Sequence, residues 1–223
     1  MLSRAHHSEG QDAMTTTFVP VRLPPERIVE AAAVMGRATM DDPIFVHALP
    51  DAEERAAGVP QMLETVLRIG LTHGEVWVTP PPITGVACWI SPAHPTVTAA
   101  DRDAAGWREV GAAWGAEAFA RFQAFAADVA EVLAPLAAEP HWYLAWLCVE
   151  PGQQGRGIGS TLMRHMTARA DAERVSCQLF TAAPRNVPTY EHLGFRVLQA
   201  TTLPRAGLRI WVMARQPGVD AAG

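Results

Sequence analysis

The sequence predicts a mixed α/β fold, an α+β type of mixed sheet flanked by helices, with a helical insertion ahead of the central strand. Three observations carry this. First, His141 to Pro151 (HWYLAWLCVEP) is an almost continuous apolar run and reads as a fully buried central strand. Second, the glycine-rich stretch GQQGRGIG follows it directly, then a helical pattern and another strand; that order is a parallel crossover unit in an otherwise antiparallel sheet. Third, of 223 residues 49% are hydrophobic and 18% charged, which is enough apolar mass for a sizeable core and excludes wholesale disorder, collagen and coiled coil.

The elements follow in chain order. Thr17 to Leu23 alternates and reads as a first strand. Pro24-Pro25 opens a helix of roughly 26 to 39, with Ile28, Val29, Ala32 and Met35 on its apolar side, and Asp41-Asp42-Pro43 breaks it. A second helix, about 60 to 73, opens at Pro60 with Met62, Val66 and Ile69 at helical spacing. Glu75 to Thr79 and Ile83 to Ser91 form a hairpin around Pro80-Pro81-Pro82. Between 100 and 138, Trp107, Val110, Trp114, Phe122, Phe125 and Val129 recur mostly three or four apart, which predicts two helices breaking near Gly115. After the central strand come a helix from Ser160 to Ala172, a strand from Val175 to Thr181 and a short helix from Asn186 to Gly194. Phe195 to Leu203 and Leu208 to Ala214 are the last strands.

Composition excludes several functions. All 18 basic residues are Arg, so Schiff-base catalysis, a pyridoxal-phosphate anchor and a P-loop lysine are impossible. The formal net charge of −5 argues against a nucleic-acid partner. Ala occurs 39 times; together with Arg in place of Lys, this reads as nucleotide bias. Cys88, Cys148 and Cys177 lie far apart in apolar runs, as buried free thiols of a reducing, cytoplasmic compartment do, and neither they nor His6, His7 and His73 have metal-ligand spacing. The longest apolar run, Trp142 to Val149, is far below the ~20 residues of a membrane helix, so no membrane partner is expected. Residues 1–14 have no signal-peptide pattern and read as a flexible tail; the C-terminal RQPGVDAAG is equally loose. The expected organisation is a tail at 1–14, one domain at 15–216 with its insertion at 100–138, and a tail at 217–223.

The chemistry concentrates between Val149 and Ser160. A strand runs into a turn with Gly152, Gly155, Gly157 and Gly159, then a helix. Glycines let backbone N–H groups approach a ligand, and the first helical turn adds unpaired N–H groups with partial positive charge, which together suit a phosphate or pyrophosphate. Arg156 adds a charged donor. A dinucleotide fingerprint fails at its third glycine, where Ser160 stands. What fits is Q-x-x-G-x-G: Gln154, Gly157, Gly159. About 27 residues later the chain reads APRNVPTYEHLGF, with Asn186 (the only Asn), Tyr190, Gly194 and Phe195.

Both segments resemble the two signatures of the GNAT N-acetyltransferase superfamily, in the right order and distance, and the resemblance spans roughly residues 16 to 215. The short Asn-to-Tyr spacing, the Trp142 strand entry and the helical insertion look more closely like puromycin N-acetyltransferase and its relatives. That family carries a tyrosine near its substrate where this chain has Asp42-Pro43, which implies a different acceptor pocket. The resemblance implies the GNAT acyl-CoA N-acyltransferase fold, acetyl-CoA as cosubstrate, no metal, a small-molecule amine as acceptor, and direct attack in a ternary complex. It implies that the backbone of Leu147, Cys148 and Val149 pairs with the pantetheine arm and the acetyl carbonyl. The turn from Gln154 through Gly155, Arg156, Gly157, Ile158 and Gly159 to Ser160 would hold the pyrophosphate. Asn186 would bind pantetheine and Tyr190 would protonate the leaving thiolate, with Tyr143 as the fallback acid. Asp42 and Trp142 are the candidate acceptor-binding residues. Asp41, Asp42, Glu75, His94 and His141 are base candidates by strand-end position, beside a water chain. Other readings are acetylation of a protein or peptide, which the bulky aromatic insertion disfavours, and a catalytically idle CoA-binding module. A monomer or a homodimer is compatible with all of them.

Overall fold

The computed structural model describes residues 18–94, 96–136 and 139–218; the expected N-terminal tail lies outside them. Seven strands form one mixed sheet: β1 (Val21–Arg22), β2 (Gly74–Val78), β3 (Gly85–Ile90), β4 (His141–Val149), β5 (Ser176–Thr181), β6 (Arg196–Thr202) and β7 (Arg209–Arg215). Their order is β1-β2-β3-β4-β5-β7-β6, and β4 with β5 is the parallel pair in an otherwise antiparallel sheet, as the crossover pattern predicts. The first strand is shorter than Thr17 to Leu23, only the two residues paired with Trp77 and Val78.

Helices cover both faces. On one lie α1 (Ile28–Ala38), α2 (Pro43–Ala48), α3 (Ala52–His73), α4 (Ala99–Ala105) and α5 (Trp107–Leu133). On the other lie α6 (Ile158–Glu173) and α7 (Val187–His192). Alternation along the strands feeds two cores: Val76, Val78, Val86 and Cys88 face the first, Ala87, Trp89, Leu179 and Met213 the second. The inward residues expected of α6, Leu162, Met163 and Met166, are buried in the second core. All three cysteines are buried free thiols. Among the described residues no helix is long and apolar enough to cross a membrane, and no His, Cys, Asp and Glu cluster could hold a metal.

Several boundaries differ from the sequence expectation for physical reasons. Helix α3 begins at Ala52, not at Pro60, because Asp51 caps it by accepting from the Glu53 and Glu54 N–H groups at 2.9 Å. Pro60 costs one backbone hydrogen bond inside 22 residues whose Val59 and Leu63 are fully buried. Val29 is 65% exposed, and α1 instead buries Ala31, Ala32, Val34 and Met35. Asp42 does end the first helical stretch, but it also caps α2, accepting from Ile44 at 3.0 Å with Pro43 at the first helical position. The insertion breaks twice, at Gly106 and at Gly115, where φ is 75° and ψ 162°. Beyond β7 the Gly218 N–H donates to Asp171 at 2.7 Å.

The insertion is built into the first core. Val110, Trp114, Phe122, Phe125 and Val129 are buried in it. Trp114 Nε1 donates to the Gly58 carbonyl at 3.1 Å, and Arg121 Nη2 to the Ala48 carbonyl at 2.8 Å. The buried Asp128 accepts from the Arg205 and Ala206 backbone N–H groups at 2.8 and 3.1 Å and from the Arg205 guanidinium at 2.6 Å.

Candidate active site

Strand β4 is not buried throughout. It pairs with β5 only over His141–Ser176, Trp142–Cys177 and Tyr143–Gln178, and then the two strands part. A bulge in the β3–β4 ladder sets Cys88 opposite Trp146 and Trp89 opposite Leu144, leaving Ala145 as the extra residue. One inserted residue reverses the faces of a strand. Before the bulge Trp142 and Leu144 belong to the second core; after it Trp146 and Cys148 face the first, and Leu147 and Val149 the second. The strand therefore presents side chains to both faces where the sheet opens, and a cleft of roughly 1290 Å³ forms there.

The glycine turn borders this cleft. Gly155 and Gly157 have φ of 76° and 79°, the left-handed region that other residues enter at a cost of about 1–2 kcal/mol. A Cβ on Gly155 would meet nothing within 4 Å, so the turn is open to a ligand. Gly157 is the N-cap of α6, which starts at Ile158, two residues before the expected start at Ser160, and the Gly157 carbonyl accepts from Thr161 at 2.9 Å. The N–H groups of Ile158, Gly159 and Ser160 precede the first intrahelical bond and line the cleft end with free donors. Gln154 does another job: its Nε2 donates to the Val149 carbonyl at 3.1 Å and closes the turn onto the end of β4. Arg156 is exposed and lies outside the cleft wall.

Leu147, Cys148, Val149, Asn186 and Tyr190 all line the cleft. Asn186 closes a 3-10 turn ahead of α7, and its Nδ2 donates to Thr181 Oγ1, at the end of β5, at 3.3 Å. Tyr190 is 7% exposed, packs edge-on to Phe195 at 6.0 Å, and makes no side-chain hydrogen bond among the described residues. Burial raises its pKa well above the usual phenol value, and the charges of Cys148 and Asp42 add to this. Burial likewise raises Cys148, with Asp42 and Cys88 contributing. Asp42 is itself raised by burial, against the opposing Ile44 N–H and the Arg185 charge. Asp42, Cys148 and Tyr190 all line the one cleft. Tyr143, the fallback acid, also lines the cleft and is raised by burial.

Other sequence candidates lie elsewhere. Trp142 is buried in the second core, donates to Glu173 at 2.8 Å and packs under Arg169, so it does not reach the cleft. Glu75 is held by Arg22, Arg169 and the Trp77 indole N–H on the β2 side of the sheet, away from the cleft wall. His94 packs against His73, ring centroids 5.1 Å apart, also away from it. Asp41, Asp42 and His141 remain on the wall, His141 with its Nδ1 2.8 Å from the Glu139 carbonyl.

Two features escaped the sequence reading. Arg55 is buried and donates to the carbonyls of Met40 (2.7 Å), Leu49 (2.6 Å) and Pro50 (2.8 Å), which clamps the segment carrying Asp41 and Asp42. An aromatic arc spans the gap: Trp146 stacks on Phe45 at 5.3 Å, Phe45 on Phe122 at 6.4 Å, Phe122 meets Phe125 at 6.0 Å and Phe125 meets Phe180 at 6.0 Å. Helical spacing exposed the α5 members, but no local pattern ties them to Trp146 and Phe180.

A family model described as an acetyltransferase (GNAT) domain matches residues 110–197, from α5 to β6. Solved acetyltransferases share the fold. A Corynebacterium glutamicum protein, histone acetyltransferase HPA2 and related acetyltransferase, aligns with TM-score 0.62 and 19% identity over 92% of this chain and 98% of its own. Drosophila melanogaster polyamine N acetyltransferase aligns at 0.54 and 12%, over 89% of this chain and 99% of its own. A mosquito arylalkylamine N-acetyltransferase, like 5b, aligns at 0.53 and 13%, over 90% and 100%. The seven-stranded mixed sheet flanked by helices is the fold these neighbours share, and the GNAT family model matches its stretch from α5 to β6.

Proposed function

We propose that the protein transfers the acetyl group of acetyl-CoA to the primary amine of a small molecule, and that residues 15–216 act as one catalytic domain. The observation that carries this is the early end of β4–β5 pairing, which opens a cleft where the glycine turn, Asn186 and Tyr190 converge. The family match and the names of the neighbours, which include polyamine and arylalkylamine acetyltransferases, support an amine as acceptor. The closer likeness to puromycin N-acetyltransferase and its relatives rests on the Asn186–Tyr190 spacing and the insertion.

The residues fit acetyl-CoA. The open turn at Gly155 and Gly157 and the start of α6 suit a pyrophosphate. Backbone groups of Leu147, Cys148 and Val149, beyond the end of the β4–β5 ladder, would hold the pantetheine arm and polarise the thioester carbonyl, with Asn186 fixing the arm. On the far side of the gap Asp42 would receive the amine as an ammonium ion and take its proton. The neutral nitrogen attacks the thioester carbon, the C–N bond forms, and the C–S bond breaks. Sulfur takes the Tyr190 proton, and the proton shed by nitrogen restores Tyr190 through water. The raised pKa of Tyr190 keeps the proton donor loaded, and the same desolvation that raises Cys148 would raise a leaving thiolate beside it. Binding and orientation in the cleft supply the rest of the acceleration.

The test is thiol release from acetyl-CoA across a panel of amines, with calorimetry for cofactor binding in the ordinary substrate range of ~1 μM to 1 mM. Amine-dependent release supports the proposal. Binding without release from any amine would make the protein an idle CoA-binding module, and release with peptides alone would make it a peptide acetyltransferase.

A further inference from the structure

The acceptor end of the cleft carries information about the class of amine. Beyond the gap the wall is aromatic, with Trp146 from β4, Phe180 from β5 and Phe122 and Phe125 from α5. Bulky aliphatic groups, Val129 and Leu133 of α5 among them, extend it. Trp146 and Phe180 are only part-buried, so their rings still offer surface after the arc has formed. Flat apolar surface of this kind favours a ring over a flexible chain beyond the area buried.

Charge points the same way. Among the described residues the carboxylates on the wall are the adjacent Asp41 and Asp42, set against the guanidinium groups of Arg37, Arg102 and Arg185. Arg37 is paired with Glu150 at 2.7 Å, and Arg102 donates to the Val97 carbonyl at 2.8 Å. A ligand with several positive charges along its length meets carboxylate at one point only, with Arg102 and Arg185 elsewhere on the wall. Asp42 spends Oδ1 on the Ile44 N–H, in a segment clamped by Arg55, and lines the same cleft as Tyr190.

Resting on the acetyltransferase reading above, we propose that this pocket selects a monoamine carried on a flat aromatic body: Asp42 receives the single ammonium group, and Trp146, Phe122, Phe125 and Phe180 enclose the ring. The neighbours do not decide this, since their names cover polyamine and arylalkylamine acceptors alike.

The experiment is calorimetry on the full chain saturated with CoA, with three probes: tryptamine, putrescine, and 3-ethylindole, which keeps the ring and lacks the amine. Tryptamine is expected to bind at least about tenfold tighter than putrescine, the equivalent of one good ring contact. In Asp42→Asn its affinity should fall by about tenfold or more, while 3-ethylindole is unaffected. Asn is as good an N-cap as Asp, so the variant keeps α2. Equal or tighter binding of putrescine, no saturable tryptamine binding, or an Asp42→Asn variant with unchanged tryptamine affinity overturns the proposal. Thiol release, measured separately, judges the parent reading. Selective tryptamine binding without acetyl transfer leaves the pocket assignment standing and removes the activity; faster transfer to putrescine than to tryptamine does the reverse.

Discussion

The two faces of the sheet meet at the gap between β4 and β5, and they were built by different means. The α6–α7 face is local: β4, the glycine turn, α6, β5 and α7 follow one another from His141 to His192, and each group it would offer the proposed cofactor comes from a contiguous motif. The α1–α5 face is assembled from distant pieces. Asp42 stands over 140 residues from Tyr190 in the chain, and the aromatic arc draws on α2, α5, β4 and β5. A cofactor common to many enzymes can be held by a short motif with free backbone donors, whereas an acceptor pocket needs side chains gathered by tertiary packing.

The comparison breaks or sharpens with substitution, and the largest effect is expected on the local face. Tyr190→Phe keeps the ring and its packing on Phe195 and removes the proton donor. Turnover should drop by about 100- to 10,000-fold with acetyl-CoA affinity little changed, since a positioned acid contributes on that scale. Steady-state kinetics with calorimetry decide it, and an unchanged turnover across pH would make Tyr190 a packing residue and pass the role to solvent or Tyr143.

Next comes the cofactor cradle. Gly157→Val puts a β-branched residue at a φ of 79° in the N-cap of α6. Saturable acetyl-CoA binding at millimolar concentration should vanish while circular dichroism shows the fold retained. Binding that survives would remove the turn from the cofactor site.

On the assembled face, Asp42→Asn should change the pH profile more than the fold. Burial raises the Asp42 carboxyl above its ordinary value, so in the wild type kcat/KM should fall on the acid side at a pH above the usual carboxylate range, and the variant should lose that limb with a lower rate throughout. A raised carboxyl pKa contributes stability only below the unfolded value and loses it as pH rises through the folded one, so neutralising Asp42 removes no stabilising charge at pH 7. A wild-type acid limb that persists in the variant would assign the base elsewhere.

A smaller effect concerns the anchoring of α5. Burial opposes the Asp128 charge, but the Ala206 and Arg205 N–H groups and the Arg205 guanidinium outweigh it and hold the carboxyl below its usual value. That stability is present above the unfolded pKa of about 3.9 and is lost as pH falls through the folded value. Asp128→Asn should therefore lower the denaturation midpoint at pH 7 and converge with the wild type in acid; a constant difference at every pH would show that packing, not charge, anchors α5. The smallest effect is expected from deleting residues 1–14, a polar segment with little to bury, and lost folding or turnover on deletion would show that it packs on the domain.

Much of this was legible in the chain. Periodicity and the order of motifs predicted the mixed sheet, the parallel crossover, the insertion and the members of the glycine turn, because each depends on neighbours in sequence. Capping was legible too: Asp42-Pro43 and Asp51 with Glu53 and Glu54 are start signals, and reading Pro60 as the start of α3 gave them too little weight.

What only the tertiary structure decided is which face each residue serves. The bulge at Ala145 turns Trp146 toward the α1–α5 side, and a continuous apolar run conceals it, since every residue there is compatible with either face. Trp142, four residues earlier, goes to the opposite core and away from the cleft. The same holds for charge: Glu75 was a strand-end carboxylate until two arginines, one of them 94 residues away, closed on it. Backbone conformation and turn chemistry are set by residues within a few positions of each other; side-chain partnership across a sheet is set by register and packing, and no local pattern encodes it.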